Sequence, residues 1–354
     1  MASTCPQIIF GAGFIGNAEP FISEKDIEAT YELISKYGVK RLDSAQLYGE
    51  SEKRLGETKA GDRFSIDTKW LMGWSPGLAT KDGIIASAKE SVKKIGCAVG
   101  DVLDTPLSLS LFTNRRRSYR LKPEKLTSHR MCPPQADVFY LHCPDVSVPV
   151  EETLAGVNEA HRLGLFQHFG LSNYPTEDVL KIYDYCKAHD YILPSVFQGN
   201  YAPVARKLET LLFPTLRKLG IAFYGYSPLA GGFLTKTKQQ IVEGAGRFNT
   251  DFMNGMYDQM YLKESYLQAL ALWEDIATEQ GCSRAELAYR WVAYHSALRS
   301  EYGDGIIIGA SKFEQIEPTL QGLQKGRLND SVVKRIDEVW ETVKHDAPMD
   351  AFAK

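Results

Sequence analysis

Residues 39–49, Val39-Lys40-Arg41-Leu42-Asp43-Ser44-Ala45-Gln46-Leu47-Tyr48-Gly49, form a short apolar run that closes on an acid and passes into a turn carrying a tyrosine. Two later stretches end in a similar way. Phe64-Ser65-Ile66-Asp67-Thr68-Lys69 closes on a base, and Ala136-Asp137-Val138-Phe139-Tyr140-Leu141-His142 closes on an imidazole. If these runs are neighbouring parallel strands, Asp43, Tyr48, Lys69 and His142 meet at one rim of a sheet. An acid, a phenol, a base and an imidazole in one place make a proton-transfer site. Each also has a plainer reading taken alone. Asp43 suits a helix cap, Lys69 a solvated surface position, His142 a hydrogen-bonded core position, and Tyr48 packing. Only a shared rim gives the four a common purpose.

Working outward, strand-length apolar runs recur at 7–11, 40–43, 64–69, 137–142, 166–172, 195–198, 221–227 and 305–309. Amphipathic stretches lie between them. Those over 24–38, 80–96 and 150–164 end in Gly38, Gly96 and Gly164, the residue that most readily adopts the left-handed turn after a helix. Pro175-Thr176-Glu177-Asp178 opens another helix. Strands alternating with helices indicate a (β/α)8 TIM barrel or a doubly wound sheet. A count of eight favours the barrel, as a single α/β domain over residues 1–354. Gly11-Ala12-Gly13-Phe14-Ile15-Gly16 has the spacing of a dinucleotide fingerprint. It opens no clear helix, and no ribose-binding acid follows roughly 20 residues on.

The chain has 354 residues, 44% hydrophobic and 24% charged, with a net charge of −3. That balance gives no reason to expect a nucleic acid or an anionic membrane as partner. Cys5, Cys97, Cys132, Cys143, Cys186 and Cys282 form no Cys-x-x-Cys pair. Free thiols in a reducing compartment are therefore expected, with no metal site. No signal peptide and no membrane span are read, so the expected location is the cytoplasm.

Residues 98–135 break the pattern. They show no sustained period, carry Arg115-Arg116-Arg117 and end near Pro133-Pro134. This length without structure is unusual inside a compact domain. The segment reads as an insertion between the third helix and the fourth strand, either a disordered excursion or translated intron sequence. Val99-Gly100 is encodable with GT, and Leu126-Thr127-Ser128-His129-Arg130 is encodable with a branch point and an acceptor site. In a barrel this connection lies opposite the active rim. Lengthening it costs only about 0.6 kcal/mol per doubling.

The Asp43, Tyr48, Lys69 and His142 set, in this order and strand context, resembles the tetrad of the aldo-keto reductase superfamily. Gly170-Leu171-Ser172-Asn173-Tyr174, residues 197–201, 226–232 and 306–311 match further family positions. Residues 246–248, 263–266 and 284–298 are most similar to the aflatoxin aldehyde reductase branch. The likeness covers nearly the whole chain outside 98–135. It implies a (β/α)8 barrel that binds NADPH in extended form and reduces aldehydes or ketones to alcohols by hydride transfer, as a monomer or homodimer. By this resemblance Tyr48 donates the proton, Lys69 lowers its pKa, Asp43 anchors Lys69 and His142 orients the carbonyl. Ser172, Asn173 and Gln198 hold the nicotinamide carboxamide, and Tyr226 stacks on the ring. Ser227, Leu229 and Gly231 surround the pyrophosphate. Gly309 and Ser311 precede a short helix, Lys312 binds the 2′-phosphate, and Gln315 lies near the adenosine. Thr319 stands where relatives usually carry Asn. Arg247 steers a carboxylate-bearing aldehyde. Apart from the resemblance, Trp70, with Met72, Trp74 and Phe233, is read as walling the substrate pocket or as packing. Two other readings stay open: an NADPH-binding regulatory subunit resembling potassium-channel β subunits, and a pseudoenzyme disabled by the insertion. Residues 263–266 and 290–298 favour the enzyme branch.

Overall fold

The computed structural model describes residues 5–71, 76–96 and 135–350, without the side chains of 252 and 253. Eight parallel strands close into a barrel in sequence order. They are β1 (Gln7–Gly11), β2 (Arg41–Asp43), β3 (Ser65–Trp70), β4 (Ala136–Leu141), β5 (Phe166–Ser172), β6 (Pro194–Asn200), β7 (Ala222–Tyr226) and β8 (Gly305–Ile308), with β8 paired to β1. Helices α1 (Glu24–Lys36), α2 (Ser51–Glu57), α3 (Lys81–Lys94), α4 (Val150–Arg162) and α5 (Thr176–Ala188) follow the first five strands in turn. The expected barrel is the observed one. Gly38, Gly96 and Gly164 all have positive φ, as their places after helix ends require.

The strand period of two divides the apolar residues into two layers. Outward side chains pack beneath the helices in a large cluster that includes Ile66, Trp70, Phe139, Leu141 and Phe169. Inward side chains form a small cluster of Ile9, Val138, Tyr140, Val196, Tyr224 and Ile307. Tyr140 fits there because β5 offers Gly170 beside it: a Cβ at Gly170 would lie 2.3 Å from the Tyr140 ring.

The same period corrects one expectation. Lys69 and Trp70 are adjacent on β3 and face opposite ways. Trp70 is buried in the outer layer and lines, with Val148 and Tyr174, an apolar pocket of about 150 Å³. It does not share the face of Lys69. Phe233 is also fully buried, against Phe248, Tyr261 and Tyr266. Met72 and Trp74 lie outside the described residues.

Apart from Gln135, the segment 98–135 lies outside the described residues. On its near side α3 ends at Lys94 and the chain turns at Gly96; on its far side β4 enters the barrel in register. Lys69 pairs with Tyr140 on one side, and Val138 with His168 on the other. His142, one residue past β4, is thereby carried to the rim. Among the described residues no helix is long and apolar enough to cross a membrane.

Candidate active site

Asp43 ends β2 and Lys69 is the fifth residue of β3. Both are buried, Lys69 completely. Lys69 Nζ donates to Asp43 Oδ2 at 2.7 Å and to the Ser44 carbonyl at 2.7 Å. A buried ammonium is costly without such partners, and Asp43 helps to hold Lys69 above its usual pKa despite burial. The Asp43 carboxylate accepts a second hydrogen bond at Oδ1, from Gln198 Nε2 at 2.8 Å. The carboxylate therefore ties β2, β3 and β6 together.

Tyr48 stands in the turn after β2, its ring centroid 5.0 Å from Lys69 Nζ and 6.1 Å from the His142 ring, which meets it edge-on at 83°. The structure thus brings all four expected residues together. It also changes one expected effect. Lys69 does pull the Tyr48 pKa down, but burial pushes harder, and the phenol lies above its ordinary value. Burial and the Lys69 charge hold the His142 imidazole well below its usual range. His142 is therefore neutral at physiological pH.

The glycine-rich turn after β1 has a different task from the one its spacing suggested. Gly13 lies beside the Tyr48 ring, which a Cβ there would meet at 3.5 Å. Asn17 Nδ2 donates to the Tyr48 carbonyl at 2.8 Å, and Asn17 Oδ1 accepts from Glu50 N at 3.0 Å. This brace on the turn that carries Tyr48 had no separate signal in the sequence.

The expected cofactor residues line the same rim. Ser172 ends β5, Asn173 follows it and Gln198 is the fifth residue of β6; all three are buried polar side chains. Asn173 Nδ2 donates to the His142 carbonyl and to Ser172 Oγ, each at 2.9 Å. Its Oδ1 accepts from the Tyr226 hydroxyl at 2.9 Å. Asn173 and Ser227 are non-glycine residues with φ of 58° and 55°, a conformation that costs energy and clusters at functional sites. The turn after β7 continues through Leu229 to Gly231 and Gly232, both with positive φ. Tyr257 lies on this turn, so that a Cβ at Gly231 would meet its ring at 2.1 Å. Arg247 Nη1 donates to the Tyr257 hydroxyl at 2.8 Å, and the Arg247 guanidinium lies 5.8 Å from the Phe14 ring centroid. The charge of Arg247 is felt at Tyr48.

Beyond β8, Gly309, Ser311 and Lys312 are exposed. Gln315 is exposed too, and its Oε1 accepts from Ser311 N at 3.0 Å and Lys312 N at 3.2 Å. It caps its own turn.

A barrel with a buried Asp–Lys pair under a rim tyrosine and histidine is suited to proton transfer at a carbonyl. The Aldo/keto reductase family model matches residues 7–104 and 129–341. Oxidoreductase sirO of Leptosphaeria maculans is 33% identical over 97% of this chain and 96% of its own length. Aflatoxin B1 aldehyde reductase member 2 of Rattus norvegicus is 38% identical over 90% of this chain and 81% of its own. Aldo-keto reductase family 7 member A3 of Homo sapiens is 39% identical over 68% and 76% respectively. The chain belongs to the aldo/keto reductase family and is an oxidoreductase, with the aflatoxin aldehyde reductases among its relatives.

Proposed function

We propose that the protein reduces aldehydes or ketones to alcohols with NADPH, Tyr48 giving the proton. The observation that carries this reading is the placement of Tyr48 beside the buried Lys69–Asp43 pair and against His142. NADPH, when bound, supplies the hydride to the carbonyl carbon. As that bond forms, charge builds on the carbonyl oxygen. Neutral His142 offers an N–H there and orients the oxygen toward Tyr48. A phenol held above its ordinary pKa keeps its proton against water and gives it to an alkoxide, a much stronger base. Lys69 stabilises the phenolate that remains, which regains a proton from solvent.

The residues present fit the cofactor. Gln198 gives its N–H to Asp43, which leaves its oxygen to accept from a carboxamide. Ser172 and Asn173 supply the complementary polar groups, and Tyr226 supplies a ring face. The turn at Ser227, Leu229 and Gly231 is assigned to the pyrophosphate. Gly309, Ser311 and Lys312 are assigned to the adenosine end, with Lys312 answering a 2′-phosphate. Gln315 caps that turn through its Oε1 and is assigned to the adenosine with it. An assay of purified protein with a panel of aldehydes, once with NADPH and once with NADH, tests the whole reading. Consumption of NADPH in preference to NADH is expected, and no consumption with any aldehyde would refute it.

Arg247 is assigned to an acidic group on the substrate, because it brings a cation to the rim where its field reaches Tyr48. Arg247→Ala is expected to raise the KM for succinic semialdehyde about ten-fold or more, the worth of a hydrogen bond to a charged group. The KM for 4-nitrobenzaldehyde should hold. Unchanged KM values for both would sink the assignment.

Residues 98–135 are read as dispensable. The support is that the family match passes from residue 104 to residue 129 and that β4 is in register beyond the segment. Transcript sequencing across codons 95–140 is expected to find messages that lack it. A uniform message that retains it would refute the intron origin. The free thiols of Cys5, Cys143, Cys186 and Cys282 fit a reducing compartment, and the cytoplasm is proposed.

A further inference from the structure

Beneath the tetrad the barrel holds a second set of polar groups that the proton transfer above does not use. Asp67 is the register partner of Asp43 and precedes Lys69 by two residues, so all three side chains point into the barrel. Asp67 is fully buried. Its Oδ1 accepts from Arg41 Nη1 and from Val138 N. Its Oδ2 has no hydrogen-bond partner among the described residues. Neither has the hydroxyl of Tyr140, whose ring centroid lies 5.7 Å from Lys69 Nζ. Among charged neighbours, Asp67 acts most strongly on that phenol.

The groups around Asp67 come from several strands. Arg41 and Asp43 belong to β2, Lys69 to β3 itself, Asp137 and Tyr140 to β4, and Tyr224 to β7. Arg41 is shared between Asp67 and Asp137. Asp137 also faces His168 of β5 across 3.7 Å, and Tyr224 has the Arg41 guanidinium 5.9 Å from its ring centroid. With Asp43, Asp67 and Asp137 all ionised, three carboxylates would face the two cations Lys69 and Arg41. A buried carboxylate oxygen with no donor is costly. A proton on Asp67 Oδ2 removes the excess charge and turns a bare acceptor into a donor.

We propose that Asp67 is a positioning residue for proton transfer at Tyr48. Protonated, it leaves Asp43–Lys69 as the ion pair nearest the phenol. Ionised, it places a second negative charge beneath Lys69 and makes Tyr48 hold its proton more tightly. The inference rests on the tetrad reading above. Burial pushes the Asp67 carboxyl up to about 8, with Arg41 opposing and Asp43 and Asp137 adding to the rise. The change of state therefore falls on the alkaline side of neutrality.

Asp67→Asn, the isostere of the protonated acid, tests this in two ways. The first needs no turnover. A carboxyl whose pKa is raised on folding binds more protons folded than unfolded, so it removes stability as pH rises from the unfolded value toward about 8. The thermal midpoint of Asp67→Asn should therefore gain on that of the parent between pH 5 and pH 8 and level off above. A constant difference, or one that turns against the variant as pH rises, would mean that Asp67 is ionised and would overturn the proposal. The second is the pH profile of kcat/KM for NADPH-dependent reduction. The parent should lose activity through an alkaline limb near 8, and in Asp67→Asn the limb should move up by about one unit or more. An unmoved limb beside the expected stability profile would show that Asp67 carries the proton but does not act on Tyr48. If no aldehyde is reduced at all, the proposed function fails while the stability profile still reads the state of Asp67.

Discussion

Replacing Tyr48 by Phe should lower kcat by about 10²- to 10⁴-fold, the usual worth of a positioned general acid. The substitution removes one hydroxyl and leaves the ring against Gly13 and His142. NADPH binding, followed by quenching of protein fluorescence, should be retained, because no residue assigned to the cofactor is touched. Loss of turnover with retained binding assigns the hydroxyl to the chemical step. A Tyr48→Phe protein that turns over like the parent would remove Tyr48 from the mechanism.

Lys69→Met should damage both stability and activity, for separable reasons. Lys69 is fully buried and donates to Asp43 and to the Ser44 carbonyl. Its removal leaves a buried carboxylate that, among the described residues, is held only by Gln198. Breaking a buried pair in this way costs about 3–5 kcal/mol, to be read from urea unfolding. Replacing both partners, as in Asp43→Asn with Lys69→Met, should recover much of that stability, because neither charge is then stranded. It should recover no activity, because the phenolate left on Tyr48 has lost its ammonium. A double variant as unstable as the single one would show that the pair contributes packing more than charge. A double variant with restored turnover would show that Lys69 is not needed at the phenol.

The barrel was legible in the sequence because its strands are short apolar runs set off by glycine-terminated helices, and Asp43, Lys69 and His142 close such runs. Of the two readings of Trp70, packing is the one that strand parity favours: adjacent strand residues face opposite sides, so Trp70 does not share the face of Lys69. Asp67 shares the inward parity of Lys69 and could have been placed in the barrel. Its protonation depends on Arg41, Asp137 and Tyr140, which only the pairing of β3 with β2 and β4 brings beside it. The net rise at Tyr48 was missed for a similar reason. A neighbouring ammonium can be anticipated from strand ends, whereas the desolvation that outweighs it depends on how completely the folded chain covers the phenol. Asn17 lies in an irregular turn, and Tyr257 in a helix of only six residues, Met256–Tyr261, too short for a period to mark which side chain faces inward.

The central claim is that this site couples oxidation of NADPH to reduction of a carbonyl. It is tested most directly by mixing purified protein with NADPH and 4-nitrobenzaldehyde and quantifying both the cofactor consumed and the alcohol formed. The expected result is repeated turnover with one alcohol produced for each NADPH oxidised. Tight binding of NADPH with no alcohol formed from this or any other aldehyde would contradict the claim.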